Sequence, residues 1–367
     1  MFHHLQKSDT FLYLIFRIAI TSAVSSSLLL TGCAGSSLSA TGIAGSDSSS
    51  STERAAPYSL LLLSRSYQNP FYQSVYQGAD DAATDLNATV TIDGSEVTGD
   101  FEKQLSLLHS AYVQKPDALL LCACDPETIE GSLADFEKAG IPVICFDSGV
   151  PGNPGAVKAT IETNNVQAGS AAAEHMEADP LFIKTVKNTP PGSSAVVAVL
   201  ADDNRADALA SRSKGFFDRI AVLAKGKKQN IRCEFFAPES TMLSDYQSAV
   251  RKVLDTDHLA GIFAADQEAA DALIAATDNG EDLDRQNGIY KELTVIGFDS
   301  GQIQKEAVEK GLFCGSIAQD SYEIGYQAVT MAVRAAEGGF VCNVHTGFEW
   351  YSTDNIDDES LQWMLYE

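Results

Sequence analysis

Short apolar runs alternate with segments of helical periodicity from residue 57 onward. The apolar runs predict strands at residues 60–63, 90–92, 118–123, 141–146, 195–200, 231–236, 261–264 and 293–298. The periodic segments predict helices at residues 71–86, 101–112, 127–138, 167–177, 206–224, 243–254 and 268–276. Strands that are apolar throughout and alternate with helices are typical of parallel sheets covered on both faces. The pattern therefore predicts an α/β fold.

Two similar segments close the two halves of this pattern. Residues 141–149 read Ile-Pro-Val-Ile-Cys-Phe-Asp-Ser-Gly, and residues 293–301 read Leu-Thr-Val-Ile-Gly-Phe-Asp-Ser-Gly. Ligands of open parallel sheets bind beyond the carboxyl ends of the strands. We therefore expect two halves that face each other and present Asp147 and Asp299 to a shared crevice.

These motifs also allow a purely structural role. An aspartate before a glycine can cap a helix or start a turn, with the glycine supplying the bend. The apolar run before each motif also ends in an acid, Asp125 in the first half and Asp266 in the second. Duplication in both halves favours a ligand role for Asp147 and Asp299, while a repeated structural cap stays open.

The N-terminal segment indicates export. Residues 11–20 and 28–30 are apolar, and Arg17 interrupts the first run, which is more typical of a signal peptide than of a membrane span. The segment ends in Leu-Thr-Gly-Cys33, which resembles the bacterial lipobox, whose cysteine is lipidated and begins the mature protein. We predict a lipoprotein signal peptide at residues 1–32 and a lipid on Cys33. A plain signal peptide or an uncleaved anchor is the alternative.

A tether and an acidic composition add to this interpretation. Residues 33–56 are rich in serine, glycine and alanine without an apolar period, which predicts a flexible tether. The 367-residue chain has 50 acidic and 25 basic residues, a formal net charge of −25. This charge repels phosphate backbones, so we expect no nucleic-acid partner. The length suffices for two domains of ordinary size.

Cysteine spacing fits neither a dense disulfide framework nor a zinc site. Cys122, Cys124 and Cys145 lie in apolar runs, which favours buried small side chains. A bridge between Cys314 and Cys342 is compatible with the sequence, which does not decide it.

Several spaced motifs, each weak alone, occur in a specific order. They are Gln68-Asn-Pro-Phe-Tyr72, Ile141-Pro-Val…Phe-Asp147, Thr163-Asn-Asn165, Arg212-Ser-Lys-Gly-Phe216, Phe263-Ala-Ala-Asp266, Val295-Ile-Gly-Phe-Asp299 and Ser316-Ile-Ala-Gln319. With them, residues 57–367 resemble the periplasmic sugar-binding proteins of the ribose-binding type. The resemblance implies a type I periplasmic binding protein, with two similar lobes joined by a three-crossing hinge. The implied lobes are residues 57–163 plus 320–346 and residues 164–319 plus 347–367.

The resemblance also implies which residues bind the ligand. In this family the Asn-Pro-Phe-Tyr segment supplies a polar amide, here Asn69, and aromatic rings that sandwich the sugar, here Phe71 and Tyr72. Phe71 also fits the apolar positions of its helix that face the core, so a purely structural role is the alternative for it. The other implied ligand-binding residues are Asp147, Arg212, Asp266, Asp299 and Gln319.

Two departures from the ribose-type pattern limit the choice of sugar. The pattern has arginine after the first pocket aspartate, where this chain has Ser148, and asparagine where this chain has Asp266. Arg65, near the end of the first strand, is a candidate to compensate for the lost cation. Ribose is therefore not assumed, and hexoses, other pentoses and related polyols stay open.

The resemblance implies an extracytoplasmic protein, anchored to the bacterial cell membrane through Cys33, that hands a small sugar to an ABC permease. The alternative is a sensory subunit that presents its closed form to a receptor or histidine kinase. No catalytic or nucleotide-binding motif occurs in a strand–turn–helix setting, so we expect no enzyme, no cofactor and no metal. We expect a monomer. A transcriptional regulator would need a basic DNA-binding module where this chain has an export signal.

Overall fold

The computed structural model describes residues 56–152, 155–203 and 205–366, which belong to one compact unit. The predicted signal peptide, the lipidation site Cys33 and the predicted tether up to residue 55 lie outside these described residues. Within the described ranges, no helix is both long enough and apolar enough to cross a membrane.

Strands and helices alternate through most of the described chain. In chain order the first elements are β1 (Tyr58–Ser64), α1 (Pro70–Asp85), β2 (Ala88–Gly94), α2 (Phe101–Gln114), β3 (Ala118–Leu121), α3 (Pro126–Ala139), β4 (Val143–Phe146), β5 (Val157–Thr163), α4 (Asn165–Ala178) and α5 (Pro180–Asn188). They are followed by β6 (Ala195–Leu200), α6 (Asp207–Lys227), β7 (Ile231–Phe236), α7 (Leu243–Leu254), β8 (Leu259–Ala264), α8 (Gln267–Ala276), β9 (Thr294–Phe298), α9 (Gln302–Glu309), β10 (Gly315–Gln319), α10 (Ser321–Ala336), β11 (Val344–Thr346) and β12 (Phe348–Tyr351). A short 3₁₀ helix at Glu281–Leu283 precedes β9.

The strands form two six-stranded sheets. The first has the order β11-β5-β4-β3-β1-β2 and is parallel throughout. The second has the order β12-β10-β9-β8-β6-β7 and is parallel except for β12, which runs antiparallel to β10. We call the first sheet with α1, α2, α3 and α10 the first lobe, and the second sheet with α4 to α9 the second lobe. This architecture confirms the predicted α/β fold.

The side chains of β1 show why its sequence is apolar without interruption. Leu60 and Leu62 pack in one hydrophobic cluster with residues of α1 and α10, whereas Leu61 and Leu63 pack in another with residues of α2 and α3. Successive residues of a strand point to opposite faces. Both faces of this sheet are covered, so every position of the run is buried, each stabilising the fold by roughly 2 kcal/mol.

Some observed elements differ from the predicted pattern. The pattern predicts a strand over residues 118–123, but β3 ends at Leu121, because the N–H of Ala123 bonds to the Ser148 carbonyl (3.1 Å) in a loop. The pattern omits β5, which alternates buried and half-buried positions and therefore has no continuous apolar run. It also omits α5 and the elements that follow β9. The cysteines of the described chain are free, so Cys314 and Cys342 form no bridge.

The chain passes between the two sheets at three places. It leaves the first sheet after Thr163, at the end of β5, and continues into α4. It returns after Gln319, at the end of β10, into α10, which packs on the first sheet. The third passage runs from Thr346 of β11 to Phe348 of β12. Three short connections of this kind form a hinge.

Glycines hold α10 against α1 at very short distance. A Cβ on Gly78 of α1 would lie 2.0 Å from the carbonyl oxygen of Tyr322, and a Cβ on Gly325 of α10 would lie 1.9 Å from that of Val75. The second lobe repeats the arrangement between α4 and α6 with Gly169 and a second glycine, Gly215. In each lobe, therefore, a helix that follows a hinge crossing is locked to the first helix after the first strand.

Replacement of Gly78 by alanine should destabilise the fold by about 2 kcal/mol or more, because two helix backbones must move apart. The matched control is Gly131→Ala in α3, where a Cβ meets nothing within 4 Å. That change should be neutral or stabilising by up to about 1 kcal/mol, because alanine favours the helix. Urea unfolding of both variants measures the difference, and equal effects would contradict the packing argument.

Candidate ligand-binding site

A cleft lies between the two lobes, at the carboxyl ends of their strands, with an empty volume of about 400 Å³ including its open mouth. It is lined by Arg65, Asn69, Phe71, Tyr72, Thr98, Asp147, Asp202, Ala208, Leu209, Arg212, Asp266, Glu268, Asp299 and Gln319. All nine residues predicted to bind a ligand are among them. The mixed polar and aromatic lining is typical of small-molecule sites.

Each predicted residue reaches the cleft from an element end. Arg65 follows β1, Asn69 caps α1, Phe71 and Tyr72 lie in its first turn, and Asp147 follows β4. From the second lobe, Asp266 follows β8, Asp299 follows β9, Gln319 ends β10, and Arg212 lies in the second turn of α6.

The prediction missed five lining residues, namely Thr98, Asp202, Ala208, Leu209 and Glu268. Asp202 follows the apolar run of β6 in the way that Asp266 follows β8, so the same strand-end rule could have found it. Thr98 lies in the loop after β2 and has no comparable signal.

Asp147 and Asp299 occupy equivalent backbone positions in the two lobes. Both have left-handed conformations, with φ values of 56° and 80°. The N–H of Asp147 donates to Ile161 of β5, and that of Asp299 donates to Ile317 of β10, each at 2.8 Å. The left-handed turn ends the strand, and non-glycine residues other than aspartate and asparagine adopt it at a larger cost.

Neither of these two carboxylates caps the segment that follows it in the chain, although that of Asp299 accepts from the first N–H of α8. Asp147 Oδ2 accepts from the Tyr72 hydroxyl (2.9 Å) and the Cys122 thiol (3.3 Å). Asp299 accepts from Gln319 Nε2 (2.7 Å) and from the backbone N–H of Gln267 (3.1 Å). Their partners thus orient the two carboxylates at the cleft.

The other two strand-end acids do cap helices. Asp125 accepts from the N–H groups of Glu127 and Thr128 at the start of α3 and does not line the cleft. Asp266 caps α8 through the N–H of Ala269 (2.7 Å), yet it lines the cleft as well. Asp125 also accepts from Arg205 of the second lobe (3.5 Å), so the capping alternative accounts for both acids only in part.

Phe71 and Tyr72 serve the core and the cleft at once. Both are almost fully buried in the first lobe's hydrophobic cluster, with ring centroids 5.0 Å apart and nearly perpendicular planes. Both also line the cleft. The two predicted roles of Phe71, as a core residue of its helix and as a ring that contacts the ligand, are therefore compatible.

Arg212 is held rigidly. Its Nε and one terminal nitrogen donate to Asn165 Oδ1 (3.1 and 2.9 Å), and the other terminal nitrogen donates to the Ala265 carbonyl. Its guanidinium lies 3.3 Å from the centroid of the Phe298 ring. Burial lowers the pKa of Arg212, an effect that the carboxylate of Asp299 opposes. Stacking and these acceptors fix the plane of the guanidinium.

Arg65 and Asn69 connect the lobes across the cleft. Arg65 donates to Asp202 Oδ2 (3.1 Å) and to Asp203, both of the second lobe. Asn69 Nδ2 donates to Glu268 Oε1 at 2.8 Å. Burial opposes the charge of Arg65, yet the carboxylates of Asp202 and Asp203 raise its pKa well above the ordinary value.

Burial dominates the titration of the second-lobe acids. It raises the pKa of Asp202 to about 8 and that of Asp299 to about 6, and it raises the pKa of Asp266 well above the ordinary value. Arg65 partly offsets the effect at Asp202, and Arg212 partly offsets it at Asp299. Ionising all of these acids together is therefore unfavourable.

Two α/β lobes, a three-crossing hinge and a cleft at the strand ends define a type I periplasmic binding protein. The periplasmic binding protein domain family matches residues 60–339, and the chain belongs to it. The chain is 23% identical over 314 residues to a D-allose-binding periplasmic protein of Escherichia coli (strain K12), covering 84% of this chain and 93% of that protein. This is a family of binding proteins, which confirms the expectation that the chain is not an enzyme.

Solved structures agree with this assignment. An "ABC transporter, LacI family transcriptional regulator" from Brachyspira murdochii has a TM-score of 0.74 and 31% identity, covering 85% of this chain and 99% of that one. An ABC transporter solute binding protein from Agrobacterium vitis with bound D-fucose has a TM-score of 0.70 and 25% identity, covering 84% and 100%.

Glu162 introduces a pH-sensitive charge next to the first hinge crossing. It lies one residue before Thr163, and burial followed by repulsion from Asp207 and Asp147 raises its pKa from 4.5 to about 7. The folded chain thus keeps a proton that the unfolded chain releases. The contribution of Glu162 to the free energy of unfolding is present below pH 4.5 and is lost as the pH rises to about 7.

Replacing Glu162 with glutamine removes this loss. The free energy of unfolding of Glu162→Gln, relative to the unsubstituted protein, should therefore rise between about pH 4.5 and about pH 7. Urea unfolding at several pH values measures it. Glu130→Gln, at an exposed position of α3, is the matched control and should show no such trend. A difference that stays constant with pH would rule out Glu162 as the group responsible.

Proposed function

We propose that this protein is an extracytoplasmic substrate-binding lipoprotein that captures a small sugar between its lobes and delivers it to an ABC importer. The lobes are residues 57–163 plus 320–346 and residues 164–319 plus 347–367. The observation that carries the proposal is the convergence of the nine predicted ligand-binding residues on one cleft, from both lobes. One relative is named as a D-allose-binding protein, and a similar solved structure contains bound D-fucose. Both support sugars as the class of ligand.

The lining suits a polyhydroxylated ring. Phe71 and Tyr72 offer an aromatic surface to the C–H face of a sugar, while carboxylates accept hydrogen bonds from its hydroxyl groups. Asp147 and Asp299 approach from opposite lobes, so one ligand can bind both when the lobes are closed. Arg212 is a rigid donor for ring and hydroxyl oxygens.

Hinge closure follows from the same arrangement. The contacts of Arg65 with Asp202 and of Asn69 with Glu268 join the lobes in the closed form. A ligand that binds both lobes stabilises this form only by its higher affinity for it. The importer then recognises the two lobe surfaces brought together by closure.

The substrate class is tested by a thermal-shift screen against pentoses, hexoses, polyols, amino acids and nucleosides. A ligand that binds only the folded state raises the melting temperature. We expect a shift with at least one sugar, and a loss of affinity of about 10- to 100-fold in Asp147→Asn and in Asp299→Asn. Asparagine is chosen because it tolerates the left-handed backbone of both positions.

The matched control is Asp135→Asn, which removes the same charge from an exposed position of α3, away from the contacts between the lobes. It should leave the affinity unchanged. Full affinity in both cleft variants would refute the assignment of the site. A shift with a nucleoside or an amino acid and with no sugar would keep the two-lobed binding protein but exclude sugar as its ligand.

Lipid anchoring is tested separately through Cys33. Replacement by serine removes the thiol that accepts the lipid. The Cys33→Ser protein should therefore move from the membrane fraction to the soluble fraction and still bind its ligand. Cell fractionation and the mass of the mature N-terminus provide the measurement. Membrane retention of the variant would instead support an uncleaved anchor.

A further inference from the structure

The lining of the cleft has a strong excess of negative charge. Five carboxylates line it, from Asp147, Asp202, Asp266, Glu268 and Asp299, against two guanidinium groups. Three of these acids are close neighbours in the second lobe. The N–H of Asp202 donates to Asp266 at 2.8 Å, and Glu268 lies two residues further along the chain.

Both cations are already engaged by the protein. Arg65 is paired with Asp202 and Asp203, so two carboxylates share one positive charge. Arg212 donates to Asn165 and to a backbone carbonyl and stacks on a ring. An acidic ligand group would therefore meet no uncommitted cation among the described lining residues.

Buried acceptors of the lining are still available to a ligand. Asp202, with 3% of its side chain exposed, has an Oδ1 atom without a hydrogen-bond partner in the described part of the chain. The same holds for Oε1 of Gln319, which is 2% exposed. In the same part of the chain, Nε of Arg65 is a buried donor that also has no hydrogen-bond partner. Buried polar atoms of this kind are normally paired, so a ligand is expected to supply the missing donors.

We propose that the ligand is a sugar or polyol that carries a protonated amine, bound beside Asp202. The inference rests on the proposed function and narrows its substrate class. An ammonium group brings three hydrogen-bond donors and the charge that the acid cluster lacks. The raised pKa values of Asp202 and Asp266 are consistent with this, because a nearby cation restores the ionised form of both groups.

Matched pairs of probes test the charge directly. Affinities of the protein for D-glucosamine, D-galactosamine and D-mannosamine are compared with those for D-glucose, D-galactose and D-mannose by calorimetry at about pH 6.5, where an amine is charged. The uronates of glucose and galactose provide the opposite charge. We expect the best amino sugar to bind about tenfold or more tightly than its neutral partner, and the uronates to bind most weakly.

Neutral sugars that bind as tightly as their amino partners would overturn this inference and leave the proposed function intact, provided that Asp147→Asn still weakens them. Failure of every amino probe would overturn this inference, and the proposed function is overturned with it only if the thermal-shift screen also finds no pentose, hexose or polyol that binds. The outcomes therefore separate the two proposals.

Asp202→Asn locates the amine. It should reduce the preference for the amino sugar over its neutral partner by about tenfold, while Asp135→Asn, at an exposed position of α3, should leave the preference unchanged. A folded Asp202→Asn protein with an unchanged preference would overturn the placement beside Asp202. The probe pairs on the unsubstituted protein remain decisive if this variant does not fold.

Discussion

Burial of the central strands on both faces governs where this protein can place polar chemistry. Along β3 and β6 every residue is buried, so a charged side chain within either strand would lose its hydration without gaining a partner. Polar groups therefore collect where the strands end. Because the strands are parallel, those ends lie at one edge of each sheet, and the two edges border the same cleft. Double burial thus produces both the core and the site.

The two lobes share the same local structure at the ends of their strands and at the contacts between their helices. Each ends a strand with an aspartate in the left-handed conformation, held by an N–H bond to the neighbouring strand. Each also uses a pair of glycines to seat a helix that follows a crossing. In the second lobe, Gly169 approaches the carbonyl oxygen of Arg212, so the glycine contact also positions the backbone of a cleft residue.

Electrostatics across the cleft links closure to ligand chemistry. Removing several carboxylates from water is costly, and only part of that cost is offset by Arg65, Asn69 and Thr98, which reach across from the first lobe. The closed form is therefore sensitive to what lies between the lobes. A ligand that supplies donors and positive charge would stabilise this form by completing the pairing of the second-lobe acids.

Much of this organisation is encoded locally. Apolar runs and helical periodicity depend on neighbouring residues, so they predicted most of the alternating elements up to β9 and the parallel sheets. They did not predict β5, with its mixed burial, α5 or the elements after β9. Strand-end position likewise indicated Asp147 and Asp299, because a residue that leaves a buried strand at its carboxyl end reaches the cleft edge. Arg65 was indicated by its place near the end of the first strand, and the motifs supplied the remaining predicted lining residues.

Contacts between the lobes could not be predicted from the local sequence. Arg65 and Asp202 are separated by 137 positions, and nothing near either residue indicates that they form an ion pair. The hydroxyl of Thr98 donates to the carboxylate of Glu268 across the lobes, and neither residue belongs to a motif that could have predicted this contact. Asp125 and Asp147 both follow buried strands, yet one caps a helix and the other lines the cleft. These contacts and placements depend on how distant parts of the chain pack against each other, which only the tertiary structure decides.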